Sequence, residues 1–183
     1  MHPDKRDRSW SGSRRVAAVV VPAIVAVLSG AVVAQAQPLP PPRGPVVLTI
    51  TGDIGVTNAA GTAQFDLAML SELPRVGFDT STIWTDGVSR FDGVALNVLL
   101  DLVEARGGSV VVTAINDYFA EIPVAEIGPQ APILADQRDG RPMSVRHQGP
   151  LWLVYPYDSG PEYRTEMVYL RSVWQVQRIE VRD

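Results

Sequence analysis

Three adjacent side chains, Asn116, Asp117 and Tyr118, follow directly on a β-branched run that includes Val110, Val111 and Val112. An amide offers donors and an acceptor, a carboxylate offers acceptors only, and a phenol offers a ring with a hydroxyl. At the end of a buried strand, such a trio could hold a flat, hydrogen-bonding molecule. Asn-Asp is also common turn chemistry, and by itself the stretch reads first as a turn between two extended segments. A second candidate is Trp84, in Thr80-Ser81-Thr82-Ile83-Trp84-Thr85-Asp86-Gly87. Its ring could stack on a planar ligand or belong to the core. Arg138, Arg141 and Arg146 surround a third polar stretch, where Arg146 could meet a phosphate or simply be solvated.

Other chemistry is excluded by composition. The 183 residues contain no cysteine, so there is no thiolate nucleophile, thiolate metal ligand or disulfide. Beyond residue 36 the only histidine is His147, too few for a His-rich metal site, and we assign it no catalytic role. Lys5, Arg6, Arg8, Arg14 and Arg15 precede an apolar run from Val16 to Val33, and Ala34-Gln35-Ala36 ends it. This is the pattern of a secretory signal peptide over 1–36, with an uncleaved anchor as the alternative. Arg14-Arg15 also leaves a twin-arginine route open. Taking the leader's five basic and two acidic residues from totals of 16 and 20 leaves 11 and 18, a balance of −7. Such an acidic domain is a poor partner for nucleic acid.

The elements that must position these groups follow in order. Residues 37–45 carry five prolines and read as an extended tether. A domain over 46–183 then begins with a strand at Val46–Ile50. Asp66 is a natural N-cap for a short helix through Leu67, Met69, Leu70 and Leu73, which Pro74 ends. A strand from Val76 leads to the Trp84 segment, and Asp86-Gly87 and Asp92-Gly93 read as turns on either side of Val88–Phe91. Leu96, Leu99, Leu100 and Val103 give a helix over Val94–Arg106, stopped by Gly107-Gly108. Further strands fall at Ile133–Ala135, Leu151–Tyr155 and Val173–Val181, while Met167–Leu170 fits either helix or strand. In the closing strand, Val173, Gln175, Gln177, Ile179 and Val181 should share a face. Trp152 and Trp174 read as core. Short strands with two helices indicate an α+β domain.

The segments FDGVALNVLL, AINDY, PILADQRDGRPMSVR, GPLWLVYP and VWQVQRIEV stand here in one order. Together, over Val46 to Val181, they resemble the molybdopterin-binding domain of the sulfite oxidase family, most closely its small, exported, cysteine-free branch. The resemblance implies a single α+β domain of mixed sheets with a few short helices. Catalytic members hold molybdenum through a cysteine thiolate in the loop that here reads Thr80–Gly87. With no cysteine, soft thiolate ligation is absent and molybdenum chemistry is not expected. The branch resembles periplasmic pterin-binding regulators of membrane-bound cyclic-di-GMP enzymes. It implies a sensor that binds a reduced pterin or molybdopterin-like group and signals to the periplasmic domain of a cyclic-di-GMP synthase or phosphodiesterase. The expected ligand contacts are Trp84, Thr85, Asn116, Asp117, Tyr118 and Arg146. Two alternatives stand beside it: a molybdopterin-dependent oxidoreductase without the usual cysteine, and a structural adaptor with a vestigial pocket. For the leader, N-terminal sequencing of the exported protein should begin at Gln37; recovery of the full-length chain in the membrane would overturn the cleavage.

Overall fold

The computed structural model describes residues 39–183. The expected signal peptide over 1–36, and the cut after Ala36, lie outside the described residues. Among the described residues run ten strands and three short α-helices. They are β1 (Leu48–Gly52), β2 (Ala63–Phe65), α1 (Leu67–Ser71), β3 (Arg75–Ser81), β4 (Val88–Ala95), α2 (Leu96–Leu102), β5 (Ser109–Ala114), β6 (Phe119–Pro123), β7 (Ile133–Arg138), β8 (Arg141–Pro142), β9 (Trp152–Val154), α3 (Glu166–Arg171) and β10 (Val176–Arg182). None of these helices is long and apolar enough to cross a membrane.

The strands form two sheets. The first has the order β2-β1-β10-β5-β6 and is mixed, because β10 lies parallel to β1 and antiparallel to β5. The second is antiparallel, in the order β3-β4-β7-β8, with β9 also pairing with β7. Two hydrophobic clusters follow. One is largely aliphatic and packs Leu96, Leu99 and Leu100 of α2 against Leu48, Ile50, Val112 and Ile179 of the first sheet. The other is rich in aromatic rings, with Phe91, Trp152, Tyr155 and Tyr157 at its centre. Truncating a fully buried residue such as Leu99 to Ala removes apolar burial and leaves a void, a cost of about 2–5 kcal/mol.

The Asp92-Gly93 pair is not a turn. Strand β4 runs through it, and the register with β7 shifts there, so a bulge replaces the expected reversal. Gly93 is required by proximity: a Cβ on it would lie 2.2 Å from the Leu134 carbonyl oxygen. Ala95 consequently belongs to the junction with α2, and Leu96 N–H donates to Pro132 O in place of a side-chain cap. The helix is also shorter than its apolar spacing predicts. It ends at Leu102, where Glu104 adopts φ +50° and Arg106 N–H turns to Asp53 O, well before Gly107-Gly108. Pairing with the chain near Ile54 outweighs the helical propensity of the last turn.

Asp66 holds the N-terminal part of the domain together. Its carboxylate accepts the N–H groups of Met69 at the start of α1 and of Arg43 and Gly44. The described part of the proline-rich segment is thereby held against the domain, and Leu39 packs on the aliphatic cluster. The Met69 and Gly44 amides, aided by Arg43, keep the Asp66 carboxyl below the usual carboxylate range. A depressed carboxyl contributes stability above its unfolded pKa of about 4 and loses it as pH falls through the folded value. Asp66→Ala should therefore lower the urea midpoint at pH 7, and the gap to the parent should close as the pH is taken below about 4. A gap independent of pH would assign the loss to packing alone.

Candidate functional site

Strand β3 ends at Ser81, and the loop that carries the chain to β4 brings Trp84 over the aromatic cluster. Within it, Thr82 Oγ1 accepts Trp84 N–H at 3.1 Å and pairs with Thr85 Oγ1 at 2.8 Å. The loop is clamped at its base. Asp158, in the 3-10 turn Tyr157–Ser159, accepts both the Ser81 N–H and the Ser81 hydroxyl, while its own N–H donates to Thr80 Oγ1. Arg164 braces that clamp by donating to Tyr157 O and to Asp158 Oδ1, each at 2.8 Å. Ser81 N–H and the Ser81 hydroxyl, then Arg164, hold the Asp158 carboxyl below its ordinary range.

The opposite side comes from the β5–β6 hairpin. Ala114 N–H donates to Tyr118 O at 2.8 Å and Asp117 N–H donates to Ala114 O at 3.1 Å, closing a tight turn. Asp117 sits at φ +64°, a left-handed conformation that Asp and Asn tolerate better than most side chains. Asn116 Oδ1 accepts Tyr118 N–H, so the amide oxygen serves the turn. The Tyr118 hydroxyl then donates to Leu170 O on α3 at 2.7 Å, joining hairpin to helix.

Between loop, hairpin, α3 and the segment Ser172–Trp174 lies a cavity of about 550 Å³. Trp84, Tyr118, Tyr169 and Trp174 supply rings, while Ile83, Ala114, Leu170 and Val173 supply aliphatic surface. The Trp84 ring meets Trp152, Trp174 and Tyr169 edge to face, with centroids 5.9, 5.5 and 5.9 Å away. Such pairs contribute about 0.5–1.5 kcal/mol beyond area burial, so the wall is stiffened by the core behind it. Apart from the N–H and O–H groups of the lining rings, the polar lining is sparse: Asn116, Glu166 and Ser172. Ser172 is buried and committed, accepting from the Tyr157 hydroxyl at 2.6 Å and donating to Val168 O at 2.7 Å. Burial pushes the Tyr157 phenol up to about 12, against the opposing pull of the Ser172 hydrogen bond, so it stays neutral and structural.

Trp84, Asn116 and Tyr118 thus meet on one cavity. Thr85 turns into its own loop, Asp117 is exposed in the turn, and Arg146 is exposed in the 3-10 turn Val145–His147; all three lie outside the lining. Trp152 is fully buried, as read from its strand pattern, but Trp174 is only half-buried and faces the cavity. Tyr169 and Glu166 were missed because Met167–Leu170 gave no decisive period. The N-cap is the signal that could have settled it: Thr165 accepts Val168 N–H and starts α3 there. The closing strand also departs from its expected alternation. A register shift between Val176 and Arg178 buries Val176 together with Ile179 and Val181.

A second, more polar cleft of about 500 Å³ is lined by Arg138, Arg141, Ser144 and His147 among others. Ser144 Oγ lies 2.9 Å from His147 Nδ1, while Asp139 Oδ1 in the same cleft accepts Arg90 N–H; among the described residues no carboxylate hydrogen-bonds to His147.

A molybdenum cofactor can be tested against the donor set. The chain has no thiolate, and among the described residues no group of three or more His, Asp or Glu side chains could hold a metal. The cavity lining includes no Arg, Lys or His to meet a phosphate, and carries one carboxylate. These residues offer no donor set for a phosphorylated, metal-bearing pterin. For the turn, Asp117→Gly should retain or raise stability, since glycine adopts positive φ freely. Asp117→Val should cost about 1–2 kcal/mol in urea denaturation. Equal losses in both variants would mean that the carboxylate, and not the backbone conformation, is what the position needs.

No protein-family model matches the chain, and no curated protein matches it. Among solved structures it is similar to a chain of the sulfane dehydrogenase SoxCD from Paracoccus pantotrophus, with a TM-score of 0.57 and 18% identity. The match covers 74% of this chain and 38% of that one. At such identity the likeness concerns fold alone. The α+β architecture, mixed sheets with a few short helices, is of the sulfite oxidase-like kind.

Proposed function

We propose that this domain is a periplasmic binding protein for an unphosphorylated pterin, which reports occupancy to a membrane-bound partner instead of catalysing a reaction. The observation that carries the reading is the cavity of about 550 Å³ walled by Trp84, Tyr118, Tyr169 and Trp174, with no cation on its lining. Its volume lies within the range of small-molecule sites, and its walls are apolar with few polar groups. A pterin ring is flat and uncharged and can lie against aromatic faces, each such stack being worth about 1–3 kcal/mol. The Trp84 loop is the stretch in which the family resemblance places a metal-binding thiolate, and here a ring occupies it. Molybdopterin binding is disfavoured by the same lining, since a buried phosphate needs compensating cations or donors. The partner suggested by the resemblance is the periplasmic domain of a cyclic-di-GMP synthase or phosphodiesterase.

Calorimetric titration of residues 37–183 under anaerobic conditions tests the ligand. Neopterin, oxidised or reduced, should bind, and neopterin triphosphate should bind at least about tenfold more weakly, a difference of ~1.4 kcal/mol. Trp84→Ala should weaken neopterin by about 1–3 kcal/mol. Preference for the triphosphate would restore a molybdopterin-like ligand. Pull-down of a candidate partner domain, with and without neopterin, tests the signalling: association insensitive to neopterin would favour the passive adaptor.

A further inference from the structure

We propose that Glu166 and Asn116 form a polar edge that selects ligands bearing a 2-amino-4-oxopyrimidine face, and so set the specificity of the cavity. The inference rests on the pterin reading above and goes beyond it, because aromatic walls alone would accept many flat heterocycles.

The argument is one of donors left over. The Ser172 hydroxyl is engaged by Tyr157 and Val168. The Tyr118 hydroxyl is engaged by Leu170 O. Asn116 Oδ1 is taken by Tyr118 N–H, which fixes the amide's orientation and leaves its Nδ2–H₂ to donate. Glu166 stands at the first position of α3, and among the described residues its carboxylate takes part in no ion pair. Both residues line the cavity. Apart from the ring-borne N–H and O–H groups of Trp84, Trp174 and Tyr169, the lining offers one carboxylate, an acceptor with two oxygens, and one amide donor. The pyrimidine edge of a pterin is the complement. Its ring N–H and exocyclic amine are adjacent donors that a carboxylate can take together, and its 4-oxo group accepts from an amide N–H. Lumazine, the same bicycle with oxygen in place of the 2-amino group, would turn an acceptor toward the Glu166 carboxylate. Glu166 and Asn116 are both exposed; a ring system seated against them would cover them, and a carboxylate then left facing an acceptor is penalised more than a missing contact.

Titration of the same chain with pterin and with lumazine, on the parent and on Glu166→Gln, decides the matter. The parent should prefer pterin by at least about tenfold. Glu166→Gln should weaken pterin by roughly ten- to a hundredfold and should narrow the preference, because a glutamine amide can donate to the 2-oxo group. Asn116→Ala should weaken both compounds alike, since both carry the 4-oxo group. Unchanged melting of each variant checks the fold, and if Glu166→Gln does not fold, the parent's pterin-to-lumazine ratio decides by itself. Equal affinity of the parent for the two compounds overturns the proposal, as does pterin binding untouched by Glu166→Gln, while the pterin reading survives either result. Absence of pterin binding to the parent overturns both.

Discussion

The last strand of the chain lies in the middle of its first sheet, and that placement governs the rest. β10 pairs in parallel with β1 from Thr49↔Arg178 to Gly52↔Val181, and antiparallel with β5 on its other edge. Neither pairing is local: between β1 and β10 the chain leaves the first sheet for β3 and β4, returns for β5 and β6, and leaves again for β7, β8 and β9 before β10 enters the centre. The return segment, Ser172 to Gln175, is where the two sheets meet. Leu153 N–H donates to Val173 O, Val176 N–H to Leu151 O, and Gln175 N–H to Gln148 O, while Ile115 N–H donates to Gln175 O. Trp174 is carried on this segment, bridged to Trp152, and so becomes a wall of the cavity. The site is thus a by-product of how β10 enters its sheet.

That entry explains why the cavity is apolar. A crossing between two hydrophobic clusters is lined by whatever the clusters expose, here the rings of Trp84, Tyr169 and Trp174. Polar groups near it are spent on the backbone: Asp158 on the β3 end, Ser172 on α3, Asn116 Oδ1 on the hairpin. The buried phenols of Tyr155 and Tyr157 are pushed upward mainly by burial and remain neutral at ordinary pH.

Much of the scaffold could be read from local patterns. Asp66 before Leu67 gave the first helix its cap, the valine run gave β5, and Asn116-Asp117 read first as the turn that it makes. What failed depended on partners distant in sequence. Asp92-Gly93 has turn chemistry, yet the glycine serves a close approach to Leu134 across the sheet. The helix after Ala95 kept its apolar spacing through Val103, yet backbone pairing near Ile54 ended it early. Trp174 looked like core because its neighbours are apolar. Only the register shift beside Val176 and the return path decide that its ring borders a cavity. Cavities are made by elements far apart in the chain, so their lining is the part that local periodicity least reveals.

The cavity's rim bears on how occupancy could be read from outside. Ile83, Tyr118 and Leu170 each touch the cavity and are also exposed, and they come from the loop, the hairpin and α3 respectively. Phe119 and Met167, next in sequence to Tyr118 and Glu166, are exposed as well and lie outside the lining. A partner docking across the rim would meet three separately anchored elements, two of them joined by the hydrogen bond from Tyr118 to Leu170 O. A ligand filling the space beneath would add contacts to all three at once. In the proposed sensor, ligand and partner therefore bias the same arrangement of loop, hairpin and helix. By linkage, whatever factor the ligand adds to partner affinity the partner must return to ligand affinity.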